Sequence, residues 1–381
     1  MNLKSSDLIR PRVPILSILS QSQPAAGQTA PLARRPQLHR RRRLQQFALA
    51  VLACAPPAAA QWSRIKELPA TDVVSVDVQQ ETIAAGADTA VYVSTDGGTI
   101  WRRSAQLSPA VVSIQAVRLH HGQLYAGTFG QGVFVSNDLG ATWSAFNQGL
   151  TGGVLNSQLF ISSFEVRGDS LFAGTFGAGV YVRPLLGSGV WSHFGEVFEP
   201  EQASNVNTLA LGNGRMLAAA GSNGSVFWRD RTDADWTPSG LGPNGALPGV
   251  QAHSLSWTGT RWVVGTSSGL FLSASAQDSW RLSSLGVVHF RWSAFAMRGP
   301  TLFAAFDFPT EAVIEFSPDE GQSWRFLEQQ PGVFVYTLAA HGDELYAGRG
   351  DGLWRRRTHE RSAPGVGIAG PAVPARSSDD E

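Results

Sequence analysis

Five side chains outside the strand-like stretches carry groups that binding or catalysis requires. Two carboxylates could act as acid and base on a glycosidic bond, a guanidinium could hold an anion, and two phenyl rings could stack on a sugar or a peptide. These binding candidates are Phe129, Phe176, Glu199, Asp307 and Arg349. Nothing in the sequence sets Asp307 and Glu199 at a working distance. We therefore predict a binding role for the set and assign no catalytic residue.

Two further segments have chemistry-bearing residues that a turn explains better. His120-His121 and His341–Glu344 have metal-ligand types, but each falls in a predicted hairpin turn, where Gly and Asp have conformational reasons to occur. Gly127–Gly132 resembles a phosphate-binding loop. It joins two predicted strands, so no helix follows to supply the dipole and the N–H donors. We predict neither a metal site nor a cofactor.

Composition limits the class of partner. The 381 residues hold 30 Lys and Arg against 30 Asp and Glu, and residues 1–60 carry nine of the basic groups and one of the acids. The rest of the chain therefore has 21 basic and 29 acidic groups, a net charge of −8. A net-acidic body argues against nucleic acid or an anionic membrane as the main partner. An apolar content of 43% argues against a disordered chain.

The first 60 residues have the layout of an N-terminal extension followed by a secretory signal peptide. The basic run Arg40–Arg43 precedes the apolar core Phe47–Ala55, and Ala58–Ala60 supplies small residues at a cleavage site. This core of nine residues is too short to cross a bilayer, which needs roughly 20. We therefore expect an exported protein, periplasmic or extracellular, without a membrane span.

The sequence leaves two processing products open. Cleavage after Ala60 uses the better-formed signal and would leave Gln61 as the first residue. Val51–Cys54 also resembles a bacterial lipoprotein box, in which Cys54 would be acylated and anchor the protein to lipid. Residues 1–39 fit neither signal, and a start site placed too far upstream would explain them.

Two residue series repeat along the remaining chain. Small residues that end a Leu-Tyr-Ala-Gly-like stretch recur at spacings of 41, 47, 47, 44, 40 and 43, at Gly86, Gly127, Gly174, Gly221, Gly265, Ala305 and Gly348. Tryptophans recur at spacings of 39, 42, 48, 45, 44 and 44, at Trp62, Trp101, Trp143, Trp191, Trp236, Trp280 and Trp324. Two independent markers with one shared period indicate a repeat architecture.

Each repeat unit is predicted to contain four short strands. In the second unit, apolar alternation and Gly, Asn or Asp punctuation mark strands at Val111–Leu119, Gln123–Gly127, Val133–Ser136 and Thr142–Phe146. Four strands at this period are typical of a β-propeller blade.

The order of the markers predicts how the ring closes. Trp62 comes before any second strand, and the last unit has no fourth strand. We therefore predict an all-β, seven-bladed propeller over 61–357, in which Trp62–Leu68 is the outer strand of the last blade, so that no sheet edge is left open. Residues 358–381 are rich in Gly, Pro, Ala and Ser and are predicted to be a disordered tail.

Three predicted turns between third and fourth strands share the pattern Ser-x-Asp-x-Gly-x-x-Trp. The aspartate can accept hydrogen bonds from its own turn, the glycine can take a backbone angle that is strained for other residues, and the tryptophan can bury a large ring. The pattern resembles the Asp-box of BNR-repeat propellers, and the resemblance covers nearly all of 61–357. It implies a structural role for Asp96, Asp138, Asp319, Trp101, Trp143 and Trp324.

The Asp-box resemblance spans several functional classes: sialidases, sortilin-type receptor domains, xyloglucan-cleaving glycosidases and photosystem II assembly factors. A sialidase-type site implies three arginines, a tyrosine nucleophile with a glutamate partner, and an aspartate acid/base. The five tyrosines all fall in predicted strands, and among the second-to-third-strand loops only Arg349 offers a guanidinium. No catalytic position of that family therefore carries over to this chain.

Strand direction alternates within a blade, so the Asp-box turns lie on one face of the predicted ring. The second-to-third-strand loops and the inter-blade connections lie on the other, which we call the loop face. Functional residues concentrate on loops held by a rigid scaffold. We predict an exported, non-enzymatic propeller that binds a protein or glycan partner through the loop face, in a role like that of an assembly factor. The alternative is a glycoside hydrolase of exo-α-sialidase type.

The mature N-terminus tests the export prediction. We expect Gln61 as the first residue of the exported protein, because Ala58–Ala60 fits the small-residue requirement of a signal peptidase. Intact-mass measurement and N-terminal sequencing should show that Ala60→Arg blocks processing and that Cys54→Ala leaves it unchanged. A mature chain that begins at an acylated Cys54 would contradict cleavage after Ala60.

Overall fold

The computed structural model describes residues 61–358, except 152–153, 196–204, 221–224, 232, 234, 240–250, 278–279 and 286–291. Within these residues the chain forms seven antiparallel sheets of four strands each. The first strands of successive sheets contact one another around a closed circle, in which the first strand of the last sheet touches that of the first sheet. The fold is an all-β, seven-bladed propeller, which confirms the prediction from the repeats.

In each of the first four blades the strands follow one another outward in chain order. A short 3-10 segment, Val154–Leu159, precedes the third blade. Blade 1 consists of β2 (Val73–Gln79), β3 (Thr82–Ala87), β4 (Ala90–Ser94) and β5 (Arg102–Arg103). Blade 2 consists of β6 (Ile114–His120), β7 (Gln123–Thr128), β8 (Val133–Ser136) and β9 (Ser144–Ala145). Blade 3 consists of β10 (Ile161–Arg167), β11 (Ser170–Thr175), β12 (Val180–Pro184) and β13 (Ser192–His193). Blade 4 consists of β14 (Val206–Gly212), β15 (Arg215–Ala220), β16 (Ser225–Asp230) and β17 (Thr237–Ser239).

The last three blades follow the same plan until the ring closes. Blade 5 consists of β18 (Ala252–Trp257), β19 (Trp262–Thr266), β20 (Gly269–Ser273) and β21 (Arg281–Leu282). Blade 6 consists of β22 (Trp292–Arg298), β23 (Thr301–Asp307), β24 (Glu311–Ser317) and β25 (Arg325–Pro331). Blade 7 consists of β26 (Val335–His341), β27 (Glu344–Arg349), β28 (Gly352–Arg357) and, from the other end of the domain, β1 (Ser63–Arg64).

The closing strand pairs the two ends of the domain. Ser63 lies opposite Arg355 and Arg64 lies opposite Trp354 in an antiparallel register. The N–H of Ile65 adds one more bond, to the carbonyl of Leu353 at 2.8 Å. The pairing confirms the predicted closure but is shorter than Trp62–Leu68. The ladder stops because the chain turns after Ile65, and the turn carries the next apolar side chain, Leu68, into the core between the last and first blades.

Glycine in the second strand occurs where one blade approaches the next most closely. A Cβ added to Gly127 would lie 2.5 Å from Cγ2 of Ile161, and one added to Gly86 would lie 2.7 Å from Cγ2 of Ile114. Both isoleucines are fully buried and begin the first strand of the following blade. Added Cβ atoms would come similarly close to the first residues of the following blades at Gly174 and Gly348.

Strand register corrects one member of the predicted glycine series. Gly127 pairs with Ala116, the position that follows a β-bulge in the first strand of blade 2. The position after the equivalent bulge of blade 4 is Thr208, and its partner is Ala219. Ala219 is therefore the counterpart of Gly127. Gly221, which the sequence comparison had matched, comes two residues later and lies outside the described residues.

Four of the repeating tryptophans link a blade to the outer strand of the blade before it. In four successive blades the indole N–H donates a hydrogen bond across the blade boundary, which satisfies the one polar group of a largely buried ring. The pairs are Trp191 to the Phe146 carbonyl (2.6 Å), Trp236 to the Phe194 carbonyl (2.8 Å), Trp280 to the Ser239 hydroxyl (3.0 Å) and Trp324 to the Ser283 hydroxyl (2.9 Å).

Blade packing makes Gly127 sensitive to a single methyl group. Gly127→Ala should lower the free energy of unfolding by about 1–3 kcal/mol, because the new Cβ overpacks the contact with Ile161. The matched control is Ala219→Gly, which leaves the equivalent contact uncrowded and should cost no more than about 1 kcal/mol. Chemical denaturation measures both values. An equal or larger loss for Ala219→Gly would contradict this account of the glycine series.

Candidate binding site

The three Ser-x-Asp turns are closed hydrogen-bond systems. Oδ1 of Asp138 accepts bonds from the Ser136 hydroxyl at 2.7 Å and the Thr142 N–H at 2.8 Å, and Oδ2 accepts one from the Thr142 hydroxyl at 2.6 Å. The Gly140 N–H donates to the Ser136 hydroxyl at 2.7 Å. The other two turns repeat this arrangement, with donors to the carboxylate from Ser94, Thr99 and Ile100 at Asp96 and from Ser317 and Ser323 at Asp319.

These hydrogen bonds hold the carboxylates ionised. The Thr142 hydroxyl and N–H, with the Ser136 hydroxyl, lower the pKa of Asp138 from 3.8 to about 2. The Ile100 N–H, followed by the Ser94 hydroxyl, lowers the pKa of Asp96. A carboxylate with a depressed pKa and with acceptor sites used by its own turn is a poor general acid at neutral pH. The geometry therefore favours a structural role for these residues.

The tryptophans that end these turns pack between blades. Trp101 meets Tyr346 of blade 7 edge to face, with ring centroids 6.4 Å apart, and its indole N–H donates to the Gly98 carbonyl at 3.0 Å. Trp143 packs on an apolar cluster shared by blades 1 and 2. Trp324 lies in the cluster between blades 5 and 6. All three rings thus strengthen blade boundaries.

Asp307 and Arg349, two of the predicted binding residues, are used inside the fold. Asp307 is only 1% exposed, and the Val335 N–H donates to its two carboxylate oxygens at 3.0 and 3.2 Å. Arg349, the sheet partner of Val335, is buried and donates to both oxygens of Asp351 at 3.0 and 3.2 Å. Its guanidinium also lies over the ring of Trp354, 4.2 Å from the centroid. Asp307 therefore ties blade 6 to blade 7, Arg349 ties residues within blade 7, and neither is free for a ligand.

Phe129 and Phe176 are brought together by a residue that the sequence analysis missed, Phe160. The ring of Phe129 meets that of Phe160 edge to face at 4.6 Å, and the two residues form an isolated β-bridge. The Phe176 N–H donates to the Phe160 carbonyl at 2.9 Å. Phe129 stays 42% exposed. The signal for Phe160 was an aromatic residue in the connection just before a predicted first strand. Glu199 lies outside the described residues.

Three charged side chains of successive first strands form an ion-pair network. The guanidinium of Arg118 in blade 2 lies 3.6 Å from the carboxylate of Asp77 in blade 1 and 3.3 Å from that of Glu165 in blade 3. Burial, opposed by Arg118, raises the pKa of Glu165. The guanidinium of Arg118 is thus committed to these two carboxylates and is not displayed for an anionic substrate.

The buried tyrosines are poorly suited to nucleophilic catalysis. Burial raises the pKa of both Tyr125 and Tyr181 to about 12, which disfavours the phenolate that a tyrosine nucleophile needs. Across the described part of the chain, no three His, Cys, Asp or Glu side chains converge as metal ligands.

Similarity to known proteins was found among solved structures. No family model matches the chain, and no curated protein does. YCF48 from Cyanidioschyzon merolae is 14% identical with a TM-score of 0.60, over 78% of this chain and 98% of that one. YCF48 bound to D1 peptide has the same identity and score, over 80% and 98%. The GH74 xyloglucanase from Xanthomonas campestris is 15% identical with a TM-score of 0.58, over 80% and 55%. At these identities the likeness establishes the fold alone.

The depressed pKa of Asp138 predicts an acid-sensitive contribution to stability. Its folded pKa of about 2 lies below the ordinary aspartate pKa of 3.8, so the unfolded chain binds more protons between these two pH values. The stabilisation is therefore complete above pH 4 and is lost as the pH falls towards 2. Melting temperatures of the parent and Asp138→Ala should differ at pH 7 and converge near pH 2.

Gly127→Ala supplies the control for this measurement. It changes no titratable group, so it should lower the melting temperature by similar amounts at the two pH values. A difference in melting temperature between the parent and Asp138→Ala that stays constant from pH 7 to pH 2 would contradict this prediction. It would show that the hydrogen bonds of this turn do not favour the ionised carboxylate.

Proposed function

We propose that this chain is an exported β-propeller without catalytic activity that binds a protein or glycan partner through its loop face, with a polypeptide the better match. The proposal rests on one observation: the candidate binding residues that the structure describes differ in whether the fold already uses them. The charged ones, Asp307 and Arg349, are consumed in contacts within the fold, whereas Phe129 stays exposed on the loop face. Recognition by exposed aromatic groups on loops needs no reactive group.

Two lines of support come from outside the site. The propeller of YCF48, which shares the fold, is known with a bound D1 peptide, so a ring of this architecture can hold a polypeptide segment. The basic run, apolar core and small residues of 40–60 support export. No helix among the described residues is long and apolar enough to cross a bilayer. An assembly-factor-like role for this chain is part of the proposal.

The glycosidase alternative has less support from the geometry. A general acid must reach the glycosidic oxygen, and Asp307 is sealed from solvent with its oxygens facing the Val335 N–H. Buried tyrosines with raised pKa values do not supply a nucleophile. The fold shared with a GH74 xyloglucanase does not transfer its chemistry to these positions.

A paired assay tests the proposal. The full chain, purified after export, is used to select binders from a phage-displayed dodecapeptide library, is incubated with a glycan array, and is assayed with fluorogenic sialosides and other glycosides. We expect enrichment of peptide clones with no glycoside turnover above buffer. Turnover that Asp307→Asn abolishes would overturn the non-enzymatic assignment. Failure of both the peptides and the glycans to bind would overturn the binding role.

A further inference from the structure

Three arginines meet at the boundary between blades 3 and 4, on the face of the ring that has the Ser-x-Asp turns. Arg167 ends the first strand of blade 3, and Arg229 and Arg231 lie where the third strand of blade 4 ends. Cζ of Arg229 lies 3.7 Å from the centroid of the Phe194 ring, and Cζ of Arg167 lies 5.9 Å from the same centroid. One ring thus brings two guanidinium groups together.

Blade 4 has arginines where other blades have the serine and the aspartate of the Ser-x-Asp turn. Strand register matches Arg229 to Ser136, the serine of this turn in blade 2. Arg231, two residues later, therefore stands where that turn has Asp138. The carboxylate that accepts hydrogen bonds in blade 2 is replaced in blade 4 by a guanidinium, which can only donate. At this turn the face presents a positive group in place of a negative one.

Arg167 and Arg231 carry like charges that repel each other. Burial, followed by the positive charge of Arg231, lowers the pKa of Arg167. No hydrogen bond or ion pair within the described part of the chain involves either of these two guanidinium groups. The repulsion between them is therefore not compensated by an internal carboxylate.

The acidic residues of blade 4 at this boundary are engaged with other groups. The carboxylate of Asp230 accepts a hydrogen bond from Nε of Arg215 at 2.6 Å, and Oδ2 of Asp233 accepts one from the Asp230 N–H at 3.0 Å. Burial lowers the pKa of Arg229, and the charges of Asp235 and Asp233 oppose that shift. These two carboxylates therefore balance the charge of Arg229.

The two acidic residues that flank the end of the first strand of blade 3 also have other partners. Glu165 forms the ion pair with Arg118 described above, at 3.3 Å. Burial lowers the pKa of His120 in blade 2, and the charge of Asp169 opposes that shift, so Asp169 lies towards blade 2. Neither acid therefore balances the charge of Arg167.

Solvent reaches both of the unbalanced guanidinium groups. Arg231 is exposed, Arg167 is partly exposed, and among the nitrogens of Arg167 only Nη1 is sealed from solvent without a partner. A Cβ added to Gly168 would meet no atom within 4 Å apart from its chain neighbours, so the space beside Arg167 is open. The rings of Phe172 and Phe194 already stack on this guanidinium, so it loses little conformational freedom when it binds a ligand.

We propose that Arg167 and Arg231 form a binding site for a doubly charged tetrahedral oxyanion, that is, a phosphate or sulfate group. A guanidinium presents two parallel N–H groups that match two oxygens of such an anion, and two guanidinium groups match its two charges. The bound anion replaces a repulsion by two ion pairs. The site lies on the face opposite the loop face, so it is a second binding activity that does not depend on the partner proposed above.

Titration calorimetry of the full chain, purified after export, measures this binding. At neutral pH and fixed ionic strength, inorganic phosphate and sulfate should each bind with a dissociation constant on the order of 1 mM. Acetate carries one charge and should bind about tenfold more weakly or not at all. Failure of both dianions to bind, or acetate binding as tightly as they do, would overturn the proposal.

Matched variants test the two arginines. Arg231→Gln changes an exposed side chain, so the fold should be unaffected while the affinity for inorganic phosphate falls by about tenfold or more. Arg103→Gln, at an exposed arginine in the outer strand of blade 1, is the control and should change the affinity by less than about twofold. Arg167→Lys keeps the charge but loses the paired N–H groups, so phosphate should bind several-fold more weakly.

Two outcomes of the variant series would refute the site. Equal weakening by Arg231→Gln and Arg103→Gln would show that phosphate responds to the net charge alone. An Arg167→Lys protein that binds phosphate like the parent would show that the guanidinium of Arg167 takes no part.

Phenyl phosphate separates the two sources of the anion. If this monoester binds within about threefold of inorganic phosphate, the site accepts a phosphate group carried by a larger molecule. If only the inorganic anions bind, the site holds the free ion; both results support the oxyanion chemistry. Peptide clones selected on the parent should bind Arg231→Gln unchanged, so this site and the loop-face function can each fail without the other.

Discussion

The ring depends on how closely each blade packs on the next. At Gly127 and Gly86 the following blade's first isoleucine occupies the space where a Cβ would lie. Since this contact recurs between successive blades, the second strand must be small at one position and the next first strand must begin with a buried apolar residue. At four boundaries the outer strands are held differently, by indole N–H groups that donate from one blade to the next. Packing near the axis and hydrogen bonding at the rim together fix the position of each blade.

The two faces of the ring differ in the side chains that they leave exposed. On the Ser-x-Asp side, three carboxylates are saturated by donors from their own turns and add nothing for a ligand. On the loop face, the ring of Phe129 stays exposed beside Phe160. Functional residues concentrate on loops that a rigid scaffold holds in place.

Sequence reasoning reached the fold because the markers of the repeat report local physics. A glycine at a close contact, a tryptophan at a blade boundary and an aspartate in its own turn each act within one unit or with its neighbour, so spacing alone counts the blades and predicts the closure. Asp307 was beyond such reasoning. Its partner is a backbone N–H of the next blade, 28 residues away, and no residue type marks that contact. Gly221 misled the comparison because a run of alanines before it hid the register.

The pairing of Ser63 with Arg355 also sets the order in which the domain can be completed. The two residues are separated by 292 positions. The first strand to be synthesised, β1, therefore cannot pair until the last strand, β28, has been made. Each intermediate blade can form from a local segment, and contacts of short sequence separation form fastest. The circle itself stays open until Arg357 has emerged, and until then the outer edge of blade 7 is bare. If the chain is exported with its N-terminus first, as proposed above, the ring can close only after Arg357 has also crossed the membrane.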